Sequence, residues 1–245
     1  MVENSKNKFH LSLCNAGCLI YEITRLLKKS RGIVMKLSHP VLSYKIMDQL
    51  SEFGVSVIYS AQEQKGLLPN MFRSLHPNTR LVGSAFTVLL PPGDNLMVHK
   101  AMEHIHAGDV LIIDCEDDHD TAVWGELLAT QGLRVGLAGV IVNGAVKNAD
   151  ALIDMGLPVF TRAVSVKKPV QKIKGKMMCS LNFEGCHIKH GDVVIGDRDG
   201  IIIIERQNLD EVYTRSLLLY NENVTRKAKV SYGMSAYDVI KQEIK

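Results

Sequence analysis

The sequence predicts an α/β domain with a helical extension at each end. Three observations carry this reading. Strand-like runs, single and paired, alternate with helix-like runs from about Val41 onward. Val193 to Ile204 reads as a hairpin: VVIGD, a turn through Arg198-Asp199-Gly200, then IIII. Ile201 to Ile204 is too apolar to alternate, so both of its faces should be covered. The 245 residues are 46% hydrophobic and 22% charged, the balance of a globular chain long enough for a sizeable core. The same totals exclude other classes. A net charge of +3 is too small to argue for nucleic acid. No apolar run approaches the length of a membrane span.

Residues Met1 to Gly32 read as an added segment. Cys18, Leu19, Ile23, Leu26 and Leu27 form a stripe at helical spacing beside Arg25, Lys28, Lys29 and Arg31. This start lacks signal-peptide grammar, and five cysteines without framework spacing suit a reducing compartment, so a cytoplasmic location is expected. Val41 to Phe53 reads as an amphipathic helix that Gly54 stops. Gly66 to Pro77 is a loop. Leu81 to Leu90 is a strand, with Gly83 and Ala85 on a face open to close backbone approach. After the turn Pro91 to Asn95, Asp94 or Asn95 should cap a helix through about His106. Val110 to Asp114 is a strand, and the acidic run from Asp114 to Asp120 follows it at a strand end, where open sheets hold ligands.

Thr121 to Gln131 then reads as a helix, Ala138 to Val142 as a strand, Asn148 to Met155 as a helix and Pro158 to Phe160 as a strand. Lys167 to Lys176 is a basic loop without interleaved aromatics, read as solvated but open to RNA or an acidic protein partner. Leu209 to Lys229 and Ser235 to Lys245 read as helices.

The stretch Gly125 to Asn148, GELLATQGLRVGLAGVIVNGAVKN, combines a helix start, a strand and a polar elbow. Backbone N–H groups at a helix start hold anions. The elbow Asn143-Gly144-Ala145-Val146-Lys147-Asn148 places polar groups opposite.

From Leu81 to Glu205 the chain resembles the family of the regulator of ribonuclease activity A and 4-hydroxy-4-methyl-2-oxoglutarate aldolase. The residues that carry it are Gly83 to Thr87, Gly93-Asp94-Asn95, Gly108-Asp109-Val110 leading to Asp114, Gly125 to Ala129, Asn143 to Asn148, Gly156 to Phe160, Gly191-Asp192 and Gly196 to Gly200. The resemblance implies a layered β/β/α core of swivelling-domain type. That gives an extension at 1–32, a core at 33–205 and a helical segment at 206–245. It also implies a homotrimer or homohexamer with the pocket between subunits, and a divalent-metal lyase, with Mg²⁺ or Mn²⁺, acting on small keto acids to release pyruvate. On that reading Gly125, Leu127, Leu128 and Lys147 bind substrate, Glu126 and Lys147 are catalytic, and Asn148, Glu126 and Asp114 are the metal donors.

The elbow departs from the family's pattern of Asp-Gly-x-x-Arg-Asp. Lys147 replaces a planar fork by a point charge. Asn148 replaces a carboxylate by a neutral oxygen, a weaker partner for Mg²⁺. Asn143 replaces a further acid. The readings are therefore a lyase with an altered metal site, a small-carboxylate binder without turnover, and a regulator or scaffold working through its surface.

Overall fold

The structure, a computed structural model, describes residues 42–242. The added segment read at Met1 to Gly32 lies outside the described residues. Helix α1 (Tyr44–Ala61) starts with Ser43, whose side chain accepts from Ile46 N. Gly54 does not end it. At φ 76° and ψ 164° it breaks the helical path, and a second helical stretch continues at a kink. Asp197 makes this possible, because its Oδ2 accepts from Val55 N at 2.9 Å and so caps the restarted turn from across the fold.

A nine-stranded sheet forms the centre. Its order is β1 (Arg73–Ser74), β6 (Val159–Val164), β5 (Gly139–Val146), β3 (Asp109–Asp114), β2 (Leu81–Leu89), β10 (Val193–Gly196) and β11 (Ile201–Ile204). Strands β2, β3, β5 and β6 run parallel, and β10 and β11 form the expected antiparallel hairpin. Short strands β4 (Ala122–Trp124) and β7 (Lys176–Met177) add to β5 and β2. A separate hairpin, β8 (Leu181–Phe183) with β9 (Cys186–Ile188), was not legible in the sequence.

Alternation along the strands divides the core. Leu111, Ile113, Val140 and Val142 face a cluster with Trp124 and Leu128, which includes residues of α2 (Leu96–Ala101), α3 (Glu126–Val135) and α4 (Ala149–Asp154). Val110, Ile112 and Ile141 face the opposite cluster, with Leu181, Phe183 and Ile188 of the small hairpin. The layers are therefore hairpin, sheet and helices. Ile201 and Ile203 belong to the hairpin-side cluster. Ile202 and Ile204 pack with α1 and α5 (Leu209–Ser231), so both faces of β11 are covered as its composition demanded. Helix α5 thus joins the core by packing against α1, while α6 (Ala236–Lys241), capped by Ser235, packs against α5.

Several boundaries moved for physical reasons. Helix α2 ends at Ala101, shorter than the pattern through His106, and Asp94 Oδ1 accepts from Leu96 N at its start. Residues 121–125 are extended, because β4 finds a partner in β5. Strand β5 runs on through Val146, so Asn143 lies in the ladder and is not part of an elbow. Among the described residues no helix is long and apolar enough to cross a membrane.

Candidate functional site

Strand β4 is what assembles the first polar site. Ala122 pairs with Ala145 and Trp124 with Val146, and Lys147 N donates to Trp124 O at 3.0 Å. The ladder lays the Lys147 stem against Gly125. A Cβ on Gly125 would stand 2.8 Å from Lys147 Cγ and 3.2 Å from Cε, so only glycine leaves the lysine in place. Gly125 is the N-cap of α3, and no side chain caps that end. The first backbone bond of the helix runs from Ala129 N to Gly125 O at 3.0 Å. The N–H groups of Glu126, Leu127 and Leu128 therefore have no helical acceptor. Their partial positive charge adds to the ammonium one bond beyond Lys147 Cε, and both favour an anion there. Leu128 is buried, Glu126 is exposed, and Leu127 is 79% exposed.

The second polar site begins at the end of β3. Asp114 stands opposite Asn143 of β5. Asn143 Nδ2 donates to Asp114 Oδ1 at 2.8 Å, and Arg162 Nη1 of β6 donates to Asn143 Oδ1 at 3.0 Å. Glu116 N also donates to Asp114 Oδ1, at 3.0 Å. This bridge needs a side chain that donates on one side and accepts on the other, which an amide does and a carboxylate does not. The loss of an acid at position 143 is therefore matched to its neighbours. The group opens into a cavity of about 240 Å³, also lined by Glu116, Asp117, His119 and Glu184.

The loop below this cavity is tied down by its own acids. Asp118 Oδ1 accepts from Asp120 N and Thr121 N. Burial raises the Asp118 carboxyl, but its bonds with Thr121 and Asp120 outweigh that and hold it below the ordinary range. Burial, then the carboxylates of Asp114 and Asp118, push the Cys115 thiol far up, so it is inert.

The structure therefore brings Gly125, Glu126, Leu127, Leu128 and Lys147 together and separates Asp114 from them. Asp114 lines the second site, and neither Glu126 nor Asn148 does. Asn148 is exposed, in left-handed backbone at φ 58° where it caps α4. Asn tolerates that conformation well. These donors do not fit a divalent ion on one chain. Asp114 Oδ1 already takes two hydrogen bonds, Asn148 is neutral, and among the described residues no group of three His, Cys, Asp or Glu side chains is placed to hold a metal. Sequence reasoning missed Arg162. Its signal was modest: a charged residue where the apolar run Val159-Phe160 gives way, at the ligand-bearing end of a parallel strand.

Fold and site together define an α/β protein with an uncapped helix start beside a lysine at the rim of its parallel strands. The chain belongs to the RraA-like family, described as Aldolase/RraA, whose model matches residues 44–203. A 4-hydroxy-4-methyl-2-oxoglutarate aldolase of Thermus thermophilus is 31% identical over 137 residues, covering 56% of this chain and 83% of that one. The structure of the RNA-processing inhibitor RraA from the same genus aligns with a TM-score of 0.57 at 28% identity, over 61% of this chain and 90% of the other. A Pseudomonas syringae structure aligns with a TM-score of 0.73 at 22% identity, over 82% of this chain and 99% of that one, and shows the shared fold.

Proposed function

We propose that the protein is a carbon–carbon lyase for small 2-oxo acids, with the start of α3 and Lys147 as its carboxylate site. The observation that carries this is the Lys147 stem lying against Gly125, beside three N–H groups without helical acceptors. The amides of Leu127 and Leu128 and the Lys147 ammonium would bind the substrate carboxylate and its 2-oxo oxygen. Cleavage of a 4-hydroxy-2-oxo acid moves the C3–C4 bonding pair into the carbonyl, and the enolate oxygen becomes negative. A fixed ammonium stabilises that charge more than it stabilises the neutral ketone, and so lowers the barrier. Glu126, exposed in the first turn, would take the 4-hydroxyl proton, directly or through water, and return it to C3 to give pyruvate. In decarboxylation of oxaloacetate the C3–C4 pair likewise becomes the enolate as carbon dioxide departs, and the proton added to C3 comes from water, by way of Glu126.

Leu127 is a large apolar side chain left 79% exposed beside this site. A second copy covering it would exclude water from the substrate, so the active form is taken to be a homo-oligomer with the pocket between subunits. The divalent ion that the family resemblance implies enters no step, because this chain's donors do not assemble for it. The test is pyruvate release from 4-hydroxy-2-oxo acids and from oxaloacetate, with Mg²⁺, with Mn²⁺ and with EDTA. Turnover lost in Lys147→Met supports the reading. If there is no turnover under any condition, yet pyruvate or oxalate raises the melting temperature in a Lys147-dependent way, the protein is a carboxylate binder.

A further inference from the structure

The cavity at Asp114, Asn143 and Arg162 has a charge pattern that the lyase reading does not use. Arg162 makes one hydrogen bond, to the neutral amide oxygen of Asn143, and no carboxylate of this chain pairs with it among the described residues. A guanidinium has five N–H donors in a planar fork, so most of Arg162's donors are free for a ligand. Around it stand four carboxylates that line the same space: Asp114, Glu116, Asp117 and Glu184. Asp114 is only 9% exposed, yet its Oδ2 takes no hydrogen bond from the described residues, while its Oδ1 takes two. His119, also on the wall, has its Nδ1 shut away from solvent without a protein partner. A nine-tenths-buried carboxylate with one oxygen unpartnered, facing a guanidinium with free donors, is a pair of opposite recognition groups held apart by an amide.

We infer that this cavity binds a small molecule carrying both a protonated amine and a carboxylate, the chemistry of a free amino acid. The carboxylate meets the Arg162 fork, and the ammonium meets Asp114 Oδ2 and the acidic wall. A simple dicarboxylate is disfavoured, because four carboxylates surround one guanidinium. A simple cation leaves the Arg162 donors unmet. The volume of about 240 Å³ admits a small amino acid. Asn143 is what keeps the pair open. An aspartate at 143 would hand Arg162 an internal counter-ion and set a second carboxylate against Asp114.

The site is separate from the start of α3, and the two can be tested apart. The full-length protein is titrated calorimetrically with each of the common amino acids, and with propionate and alaninamide as probes that each lack one of the two charges. At least one amino acid should bind saturably, and both half-charged probes should bind at least tenfold more weakly. Asn143→Asp, a change of nearly equal volume, and Arg162→Met should each weaken the amino acid by roughly tenfold to hundredfold. Arg162→Lys should fall between. Lys147→Met should leave this binding unchanged while abolishing pyruvate binding at α3. Circular dichroism and a melting curve establish that each variant is folded. The proposal is overturned if no amino acid binds, if alaninamide or propionate binds as tightly, or if the folded Asn143→Asp and Arg162→Met proteins bind as wild type does.

Discussion

Replacing Gly125 by alanine tests whether the position of Lys147, and not merely its presence, makes the anion site. Backbone conformation does not forbid the change, since Gly125 sits at φ −174° and ψ −172°, extended and open to any residue. The obstacle is Lys147 Cγ, 2.8 Å from where the new Cβ would stand. Cγ lies close to its own backbone, so relieving the overlap needs a different χ1 rotamer, which swings the ammonium away from the helix start. Losing a charge-assisted bond to the substrate carboxylate costs about 1.5–3 kcal/mol, or roughly tenfold to hundredfold in kcat/KM. The fold loses less. Alanine is a poorer N-cap than glycine, a cost of about 1 kcal/mol or under, which lowers Tm by roughly 2–4 °C in a chain of this size. The assay is pyruvate release by Gly125→Ala, Lys147→Met and the double variant, with Tm measured in parallel. Because both changes act on one ammonium, the double variant should be no worse than Lys147→Met alone. Unchanged kcat/KM in Gly125→Ala, or fully additive losses, would refute the argument.

Other positions yield further expectations. Asp94 is fully buried, and its carboxylate accepts from Leu96 N, Lys172 N and Ile173 N. Asp94→Ala should therefore cost about 3 kcal/mol and lower Tm by roughly 6–12 °C. Burial raises this carboxyl, but the three N–H bonds outweigh burial and hold it below its ordinary value. Its contribution is complete above the unfolded value near pH ~3.9 and is lost as pH falls through the lower folded value. The difference between wild type and Asp94→Ala in urea unfolding should accordingly shrink in strong acid. Gly54→Ala places a side chain at φ 76°, and Asp197→Ala removes the cap on Val55 N, so each should cost about 1–2 kcal/mol in urea unfolding. Burial, then Asp192, push the Cys186 thiol up to about 11, so peptide-resolved alkylation at pH 8 should find Cys186 slow in the folded protein and fast in urea. Lys147→Arg with Asn148→Asp restores a planar fork at the helix start and a charged oxygen donor at the start of α4. Pyruvate release in Mg²⁺ should then rise at least about tenfold, and no rise would mean that the pocket has diverged beyond these two side chains.

The parts of the fold that the sequence made legible are those in which local pattern and tertiary demand agree. Leu81 to Leu89 and Ile201 to Ile204 are apolar on both faces because they are covered on both. Ser235 capped its helix as its side chain predicts. What escaped was decided by partners distant in sequence. Nothing in Thr121 to Trp124 marks a strand, since three residues become one only when Ala145 and Val146 lie alongside. Gly54 reads as a stop, and is one for the backbone path, yet Asp197, 142 residues beyond Val55, restarts the helix. The small hairpin at Leu181 to Ile188 is three residues a side, below what alternation can signal.

The candidate site divides along the same line. The helix start at Gly125 to Leu128 was legible because a glycine ahead of a helix-forming run suits an N-cap. The elbow was misread in a way that changes its meaning. Taken as consecutive polar residues, Asn143, Lys147 and Asn148 look like three losses at one place. In the folded chain they sit in three environments: Asn143 inside the β3–β5 ladder, Lys147 on Gly125, and Asn148 at the exposed start of α4. Each residue suits its own setting. Lys147 has a flexible stem that can lie along a glycine and still carry charge to the helix start. Asn148 suits left-handed backbone. Asn143 bridges a donor and an acceptor that an aspartate could not both satisfy. A site losing function by drift would leave unpaired buried charge or strained backbone at the altered positions. Here the altered residues are hydrogen-bonded or conformationally suited to the places they occupy.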